Sequence, residues 1–270
     1  ARLGARVTLI GRVGDDGFGV RLLESLRHEG IDTSRIVTTA NCSSGVAIVC
    51  VDEQGENSIV VIPGANGHLT PADVDACAAV IAAADVLLVQ LETPQETVAA
   101  AIAIARKQGV LTIFDPAPAP SALLPELLKV HVVCPNETEA AAISGLPVAS
   151  LDDAIAAAGR LRGGGAEHVV ITRGKRGALV CNPAGTCEPI APFAVSTIDS
   201  TAAGDAFAAG LGVALAETGD VRQAIDWGCA AGALAASRRG AQQAMPTRAE
   251  VLHLLEHGQR VGAETDMLAP

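Results

Sequence analysis

A three-layer α/β/α sandwich, built on a mostly parallel sheet and carrying a small β lid, is the fold this sequence predicts. β-rich apolar runs alternate with helical patterns along most of the chain, and repeated strand–helix units form parallel sheets covered by helices on both faces. Hydrophobic residues are 49% of the 270, enough for one large core. Punctuation recurs where such units should start and stop: Thr70-Pro71 and Thr93-Pro94 at helix starts, Gly30 and Gly109 at helix ends. The chain reads as a single domain over 1–270, with a lid hairpin at 45–62 inside it.

Taken in order, Ala1-Arg2-Leu3-Gly4-Ala5 reads as a helix end stopped by Gly4. A strand at 6–12, the loop Gly14-Asp15-Asp16-Gly17 and a helix over 18–29 follow. The runs 45–51 and 58–62, joined by Asp52-Glu53-Gln54-Gly55-Glu56-Asn57, form a hairpin by their turn residues. A helix runs from Thr70-Pro71 to about residue 83, then a strand over 85–90, and a helix from Thr93-Pro94 to Gly109. A strand at 110–114 leads into a Pro/Ala loop at 115–120. After a strand at 131–134, Asn136 caps a helix with Glu139 at its third position. A helix at 151–162, a strand at 168–172, a hairpin at 178–190 and helices near 204–217, 220–237 and 247–257 complete the chain. Sheets of this kind bind ligands beyond the carboxyl ends of their strands, and Glu92, Asp115, Asn136, Thr172 and Gly174 all lie on that edge.

The net charge of −11 argues against nucleic acid or an anionic membrane as partner. Aromatic residues are only 2%, too few for a base-stacking platform. No apolar run is long enough for a transmembrane helix and no secretory signal pattern opens the residues given. The seven cysteines form no CxxC pair and read as free thiols in a reducing cytoplasm.

The most informative stretch is Thr197-Ile198-Asp199-Ser200-Thr201-Ala202-Ala203-Gly204-Asp205-Ala206-Phe207, a loop entering a helix. Such a helix end presents free N–H groups and the positive pole of its dipole. Ala202, Ala203 and Gly204 are small enough for a phosphate to reach the backbone. A carboxylate at Asp205 would repel that phosphate, unless its task is to take a proton from an attacking hydroxyl. An N-capping Asp on a buried Ala-rich helix is the alternative from this stretch alone.

This stretch resembles the D-T-x-A/G-A-G-D-x-F signature of the ribokinase-like (PfkB) carbohydrate kinases. Residues 43–57, 61–66, 89–98, 115–119 and 238–242 extend the resemblance and favour the ribokinases within that family. It implies Mg²⁺·ATP-dependent phosphorylation of D-ribose at its 5-hydroxyl, with Asp205 as base and the Ala202–Asp205 amides stabilising the transferring phosphoryl. By the same resemblance Glu92 accepts a sugar hydroxyl, and Asn136, Cys229 and the stretch Thr172-Arg173-Gly174-Lys175-Arg176-Gly177 line the ATP. Read alone, that stretch is a tight turn with solvated charges, and neither a P-loop nor a dinucleotide motif is present. Glu139 would hold Mg²⁺ through water. K⁺ would sit among Asp199, Thr201, Ala235, Arg238, Gly240 and Ala244, mainly on backbone carbonyls. A cytoplasmic homodimer joined through the lid is implied as well.

Three departures stand out. Ala244 occupies a position where Ser is common, and Cys229 one where Asn or His approaches the nucleotide. The family pattern also implies roughly 40 residues, about one strand–crossover unit with a sugar-gripping Gly-Gly loop, ahead of Ala1. Two alternatives therefore stay open: a related sugar or nucleoside kinase, and a non-catalytic nucleotide-binding remnant. Finally, His253-Leu254-Leu255-Glu256-His257 matches the H-x-x-E-H pattern of inverted zinc proteases. It fits a plain amphipathic C-terminal helix better, since few residues follow to supply another ligand.

Overall fold

A computed structural model describes residues 1–51 and 57–261. Residues 1–4 form a turn closed by the Gly4 N–H on the Ala1 carbonyl at 2.7 Å, in place of the expected helix end. Strand β1 (Thr8–Gly14) starts two residues later than the sequence suggests, and α1 (Gly17–His28) follows it. The Asp16 carboxylate caps α1, accepting from the Gly19 N–H at 2.8 Å and from the Ser44 hydroxyl at 2.8 Å. β2 (Asp32–Thr39) runs parallel to β1 and is absent from the sequence prediction. Its sequence DTSRIVTT is mostly polar and half exposed, so it lacks the apolar run that marks a buried strand.

The lid is the antiparallel pair β3 (Val46–Val51) and β4 (Asn57–Ile62). The joining residues 52–56 lie outside the described residues. Ile48, Val60, Val61 and Ile62 are exposed on it. The helix expected over 70–83 is two short ones, α2 (Pro71–Asp75) and α3 (Ala78–Ala82), and Thr70 with Asp73 forms a capping box on the first. β5 (Val86–Val89) leads to α4 (Gln95–Gln108), whose N-cap is Pro94 with no side-chain hydrogen bond. Thr93 is therefore one residue too early to cap it.

β6 (Leu111–Phe114), β7 (Val132–Val133), α5 (Glu137–Ser144), α6 (Leu151–Gly163) and β8 (His168–Thr172) continue the alternation. β9 (Ala178–Cys181) and β10 (Cys187–Ile190) form the expected hairpin. Three helices close the fold: α7 (Ala203–Thr218), α8 (Val221–Ala236) and α9 (Arg248–His257). The main sheet has the order β10-β9-β8-β7-β6-β5, parallel from β5 to β8 and antiparallel beyond. β1–β2 and β3–β4 are separate two-stranded sheets.

Neighbouring residues on a strand point to opposite faces, and this splits the core. Ile113, Val132 and Val170 pack under α7 and α8 with Phe207, Leu211 and Trp227. Phe114, Val133, Val169 and Ile171 pack on the other face with Ile102, Ala157 and Leu161. The three layers match the predicted architecture. α7 and α8 approach closely through glycine: a Cβ on Gly228 would lie 2.9 Å from the Phe207 ring, and one on Gly232 3.1 Å from the Ala203 carbonyl.

The expectation of free thiols fails at one pair. Cys181 and Cys187 are direct partners across β9 and β10, with Cα atoms 4.1 Å apart, and form a disulfide. Cys42, Cys77, Cys134 and Cys229 are free.

Candidate active site

The start of α7 combines a missing side-chain cap, which α3 and α4 share, with a left-handed N-cap residue. α2, α5, α6 and α9 each begin with a full capping box, whereas α7 has no side-chain cap. Its N-cap, Ala202, takes a left-handed conformation with φ 59°, rare for a residue bearing a Cβ. The Ala203 N–H is already given to the Ser200 carbonyl at 3.2 Å, and the Ala206 N–H to the Ala202 carbonyl at 3.0 Å. The N–H groups of Gly204 and Asp205 have no partner among the described residues. Ala203's amide is thus spent internally, and the two remaining in the first residues of α7, those of Gly204 and Asp205, can meet an anion.

Four carboxylates from four elements converge here. Glu92 follows β5, Asp115 follows β6, Glu139 lies in the first turn of α5 and Asp205 in that of α7. Their mutual repulsion is felt: Asp205 raises the pKa of Glu92, Asp115 and Glu139, and Glu139 that of Asp115. For all four, burial is the larger cause of the upward shift, and it is the sole cause at Asp205. The Asp205 residue is nevertheless open to a ligand. A carboxyl that is reachable yet poorly hydrated is suited to accepting a proton.

Asp115 is the most perturbed of the four, pushed up to about 7. The sequence marked it by its place after a strand and within the 115–119 segment, and gave it no role. Because its ordinary value is 3.8, the folded protein binds more protons there than the unfolded chain between about pH 4 and 7. Stability is therefore lost as pH rises through that window, by at most about 4 kcal/mol. Asp115→Asn is expected to melt several degrees above the wild type at pH 8, with the gap closing below about pH 4; a gap that does not change with pH would contradict the assignment.

The predicted capping box on α5 is present: the Glu139 N–H donates to Asn136 Oδ1 at 2.9 Å and the Asn136 N–H to Glu139 Oε2 at 2.8 Å. Among the described residues no hydrogen bond engages Glu139 Oε1. Asn136 also bridges Thr172, which brings the start of α5 beside the end of β8.

The turn Thr172–Gly177 behaves differently from solvated charge. Arg173 is buried, and its Nε donates to Glu137 Oε1 at 3.1 Å. Arg176 Nη2 donates to the same oxygen at 2.6 Å, and its Nη1 to the Ala149 carbonyl at 3.2 Å. These two arginines tie the turn to α5, leaving Lys175 exposed. Sequence reading missed Glu137, and no local signal could have found it, since its partners are 36 and 39 positions away.

The loop before α7 is tied to the end of α8. The Ile198 and Asp199 N–H groups both donate to the Ala236 carbonyl, at 2.8 and 3.1 Å. Asp199 accepts from the Thr201 N–H and the Gly240 N–H, each at 3.0 Å. Led by the bonds from Thr201 and Gly240, its pKa falls to about 2. Asp199, Thr201 and Gly240 are thus brought together, and Ala235 lies in the adjoining last turn of α8. The Arg238 side chain turns to Glu250 at 2.6 Å, and Ala244 is fully buried. Cys229, half-buried on α8, lies near Arg260, Asp226 and Arg222, and burial pushes its thiol up to about 11.

Comparison with known proteins gives a consistent picture. The model of the pfkB family of carbohydrate kinases matches residues 1–248. A ribokinase of Haemophilus influenzae is 43% identical over 95% of this chain and 84% of its own length. A Staphylococcus aureus ribokinase is 37% identical over 93% of this chain and 83% of its own. Among solved structures, Arabidopsis thaliana ribokinase complexed with ribose and ATP superposes with a TM-score of 0.88 at 27% identity, covering 94% of this chain and 83% of that one.

Proposed function

Because the chain belongs to the pfkB family of carbohydrate kinases, we propose that it transfers the γ-phosphoryl group of ATP to the 5-hydroxyl of D-ribose. The observation that carries this reading is the uncapped start of α7, where two free amides adjoin a reachable, poorly hydrated carboxylate. In this reading Asp205 takes the proton of the attacking hydroxyl. The Gly204 and Asp205 N–H groups hold charge that develops on the phosphoryl oxygens, and they are fixed in place before the reaction begins. The small residues Ala202 and Ala203 leave room for that approach. Glu92 accepts a sugar hydroxyl and so orients the ring. Asn136, Cys229 and the stretch Thr172 to Gly177 line the ATP, with Lys175 as the side chain free to meet it.

Two metal ions fit the residues present. The Oε1 of Glu139 is a hard donor beside Asp205, suited to a Mg²⁺ that keeps its waters. When bound, that ion neutralises charge on the ATP phosphates. K⁺ would be held by Asp199, Thr201, Ala235, Arg238, Gly240 and Ala244, where an Asp199 carboxylate that stays ionised gathers the backbone. The exposed apolar side chains Ile48, Val60, Val61 and Ile62 of the lid support a homodimer through that surface. A cytoplasmic location goes with substrates of this kind.

The test is a coupled ADP-release assay with Mg·ATP and K⁺ over a panel of D-ribose, other sugars and nucleosides. ADP release that requires D-ribose is the expected result. Release with another acceptor instead would transfer the reading to a related kinase. Silence across the panel, with ATP still raising the melting temperature, would favour a non-catalytic nucleotide-binding role.

A further inference from the structure

The pair His253 and His257 on α9 has no part in the proposed reaction. We propose that these two side chains form a chelating site for one first-row divalent cation of the copper, nickel or zinc class. They stand four positions apart, on one face of the helix. This spacing lets two imidazoles meet a single ion. Their rings are already gathered, with centroids 4.6 Å apart and planes 25° from parallel.

The orientation of His257 is the second observation. Its Nδ1 lies 3.2 Å from the His253 carbonyl, which can only accept, so Nδ1 carries the proton. That leaves the lone pair on Nε2 available to a metal. A second ring nitrogen tied to a backbone carbonyl is the usual arrangement behind a metal-bound histidine. Glu256 Oε2 lies 3.9 Å from the same Nδ1, so it reinforces this tautomer.

The platform is firm. α9 is closed by the Thr247–Glu250 capping box, packs through the buried Val251, and is held by Arg238–Glu250 and Arg248–Glu217 pairs, each at 2.6 Å. Among the described residues no group of three or more His, Cys, Asp and Glu is arranged to hold a metal. The site is therefore a two-ligand one completed by water, which supports binding and not zinc hydrolysis. Imidazole donors select this class of ion over Mg²⁺ and K⁺, with Cu²⁺ binding most tightly.

The experiment titrates the full chain with Cu²⁺ and with Zn²⁺, in saturating Mg²⁺ to occupy the carboxylate cleft. One ion per chain is expected, and the electron paramagnetic resonance spectrum of the Cu²⁺ form should show two nitrogen donors. His253→Gln and His257→Gln should each weaken binding at least about tenfold, as even loss of an outer partner of a metal ligand does. Melting temperature without metal should not change, because both side chains are exposed. Equal affinity in the double variant, or a spectrum with fewer than two nitrogens, would overturn the proposal and leave a stacked ring pair at a helix end.

Discussion

Replacing Asp205 by Asn is expected to stop ADP release while leaving ATP binding in place. The substitution keeps the shape of the side chain and both free amides of the α7 start, but removes the carboxylate proposed to take the proton of the attacking hydroxyl. Loss of a positioned general base lowers turnover by about 10²- to 10⁴-fold. The chain should not be weakened by the change. Asp205 adds repulsion to Glu92, Asp115 and Glu139, so its neutralisation relieves a cluster of like charges. The expected signature is therefore a protein that melts no lower than wild type, is shifted upward by ATP, and is catalytically silent. Turnover near the wild-type rate would remove Asp205 from the base role.

Gly177→Ala should have the largest effect of any single methyl group in the Thr172–Gly177 turn, which is proposed to line the ATP. Gly177 has φ 81° and ψ −127°, a region that residues with a Cβ scarcely enter. A Cβ there would also sit 2.0 Å from the Ile190 carbonyl and 2.9 Å from the Pro192 nitrogen, which are backbone atoms of the β10 side of the hairpin. Strain of this kind costs about 1 to 3 kcal/mol before the clash is counted. The turn must then leave its place beside Glu137, so a higher KM for ATP should accompany a lower melting temperature. Gly174 is the matched control, with φ 54° but nothing within 4 Å of an added Cβ. Gly174→Ala should cost only about 1 kcal/mol. Equal behaviour of the two variants would show that close contact at Gly177 is not what holds the turn.

Much of the fold was legible because its signals are local. The capping box of Asn136 and Glu139, the Gly109 stop and the strand at 168–172 are written in adjacent residues and appear where expected. β2 escaped because its side chains are mostly polar. The Cys181–Cys187 bridge escaped because register, not composition, makes those two residues opposite. The site divides the same way. The residues entering α7 form a contiguous motif, so the stretch proposed to bind the anion could be picked out directly. The burial that pushes Asp115 up to about 7, and the tie from Glu137 to two arginines, come from residues far apart in sequence that meet only in the fold.

The glycines of α8 give the fold a particular kind of vulnerability. Gly228 presses against Phe207 and Gly232 against Ala203, and these neighbours flank Gly204 and Asp205 in the first turn of α7. The second helix thus serves as a bearing surface against which the first turn of α7, the proposed reacting end, is seated. Drift in this seam would be screened by catalysis before it was screened by folding. A neutral-looking exchange of glycine for alanine would reach the chemistry as a misalignment of a few tenths of an ångström. Variation in α8 should therefore be constrained by rate, as a part is constrained by the tolerance of the machine it fits.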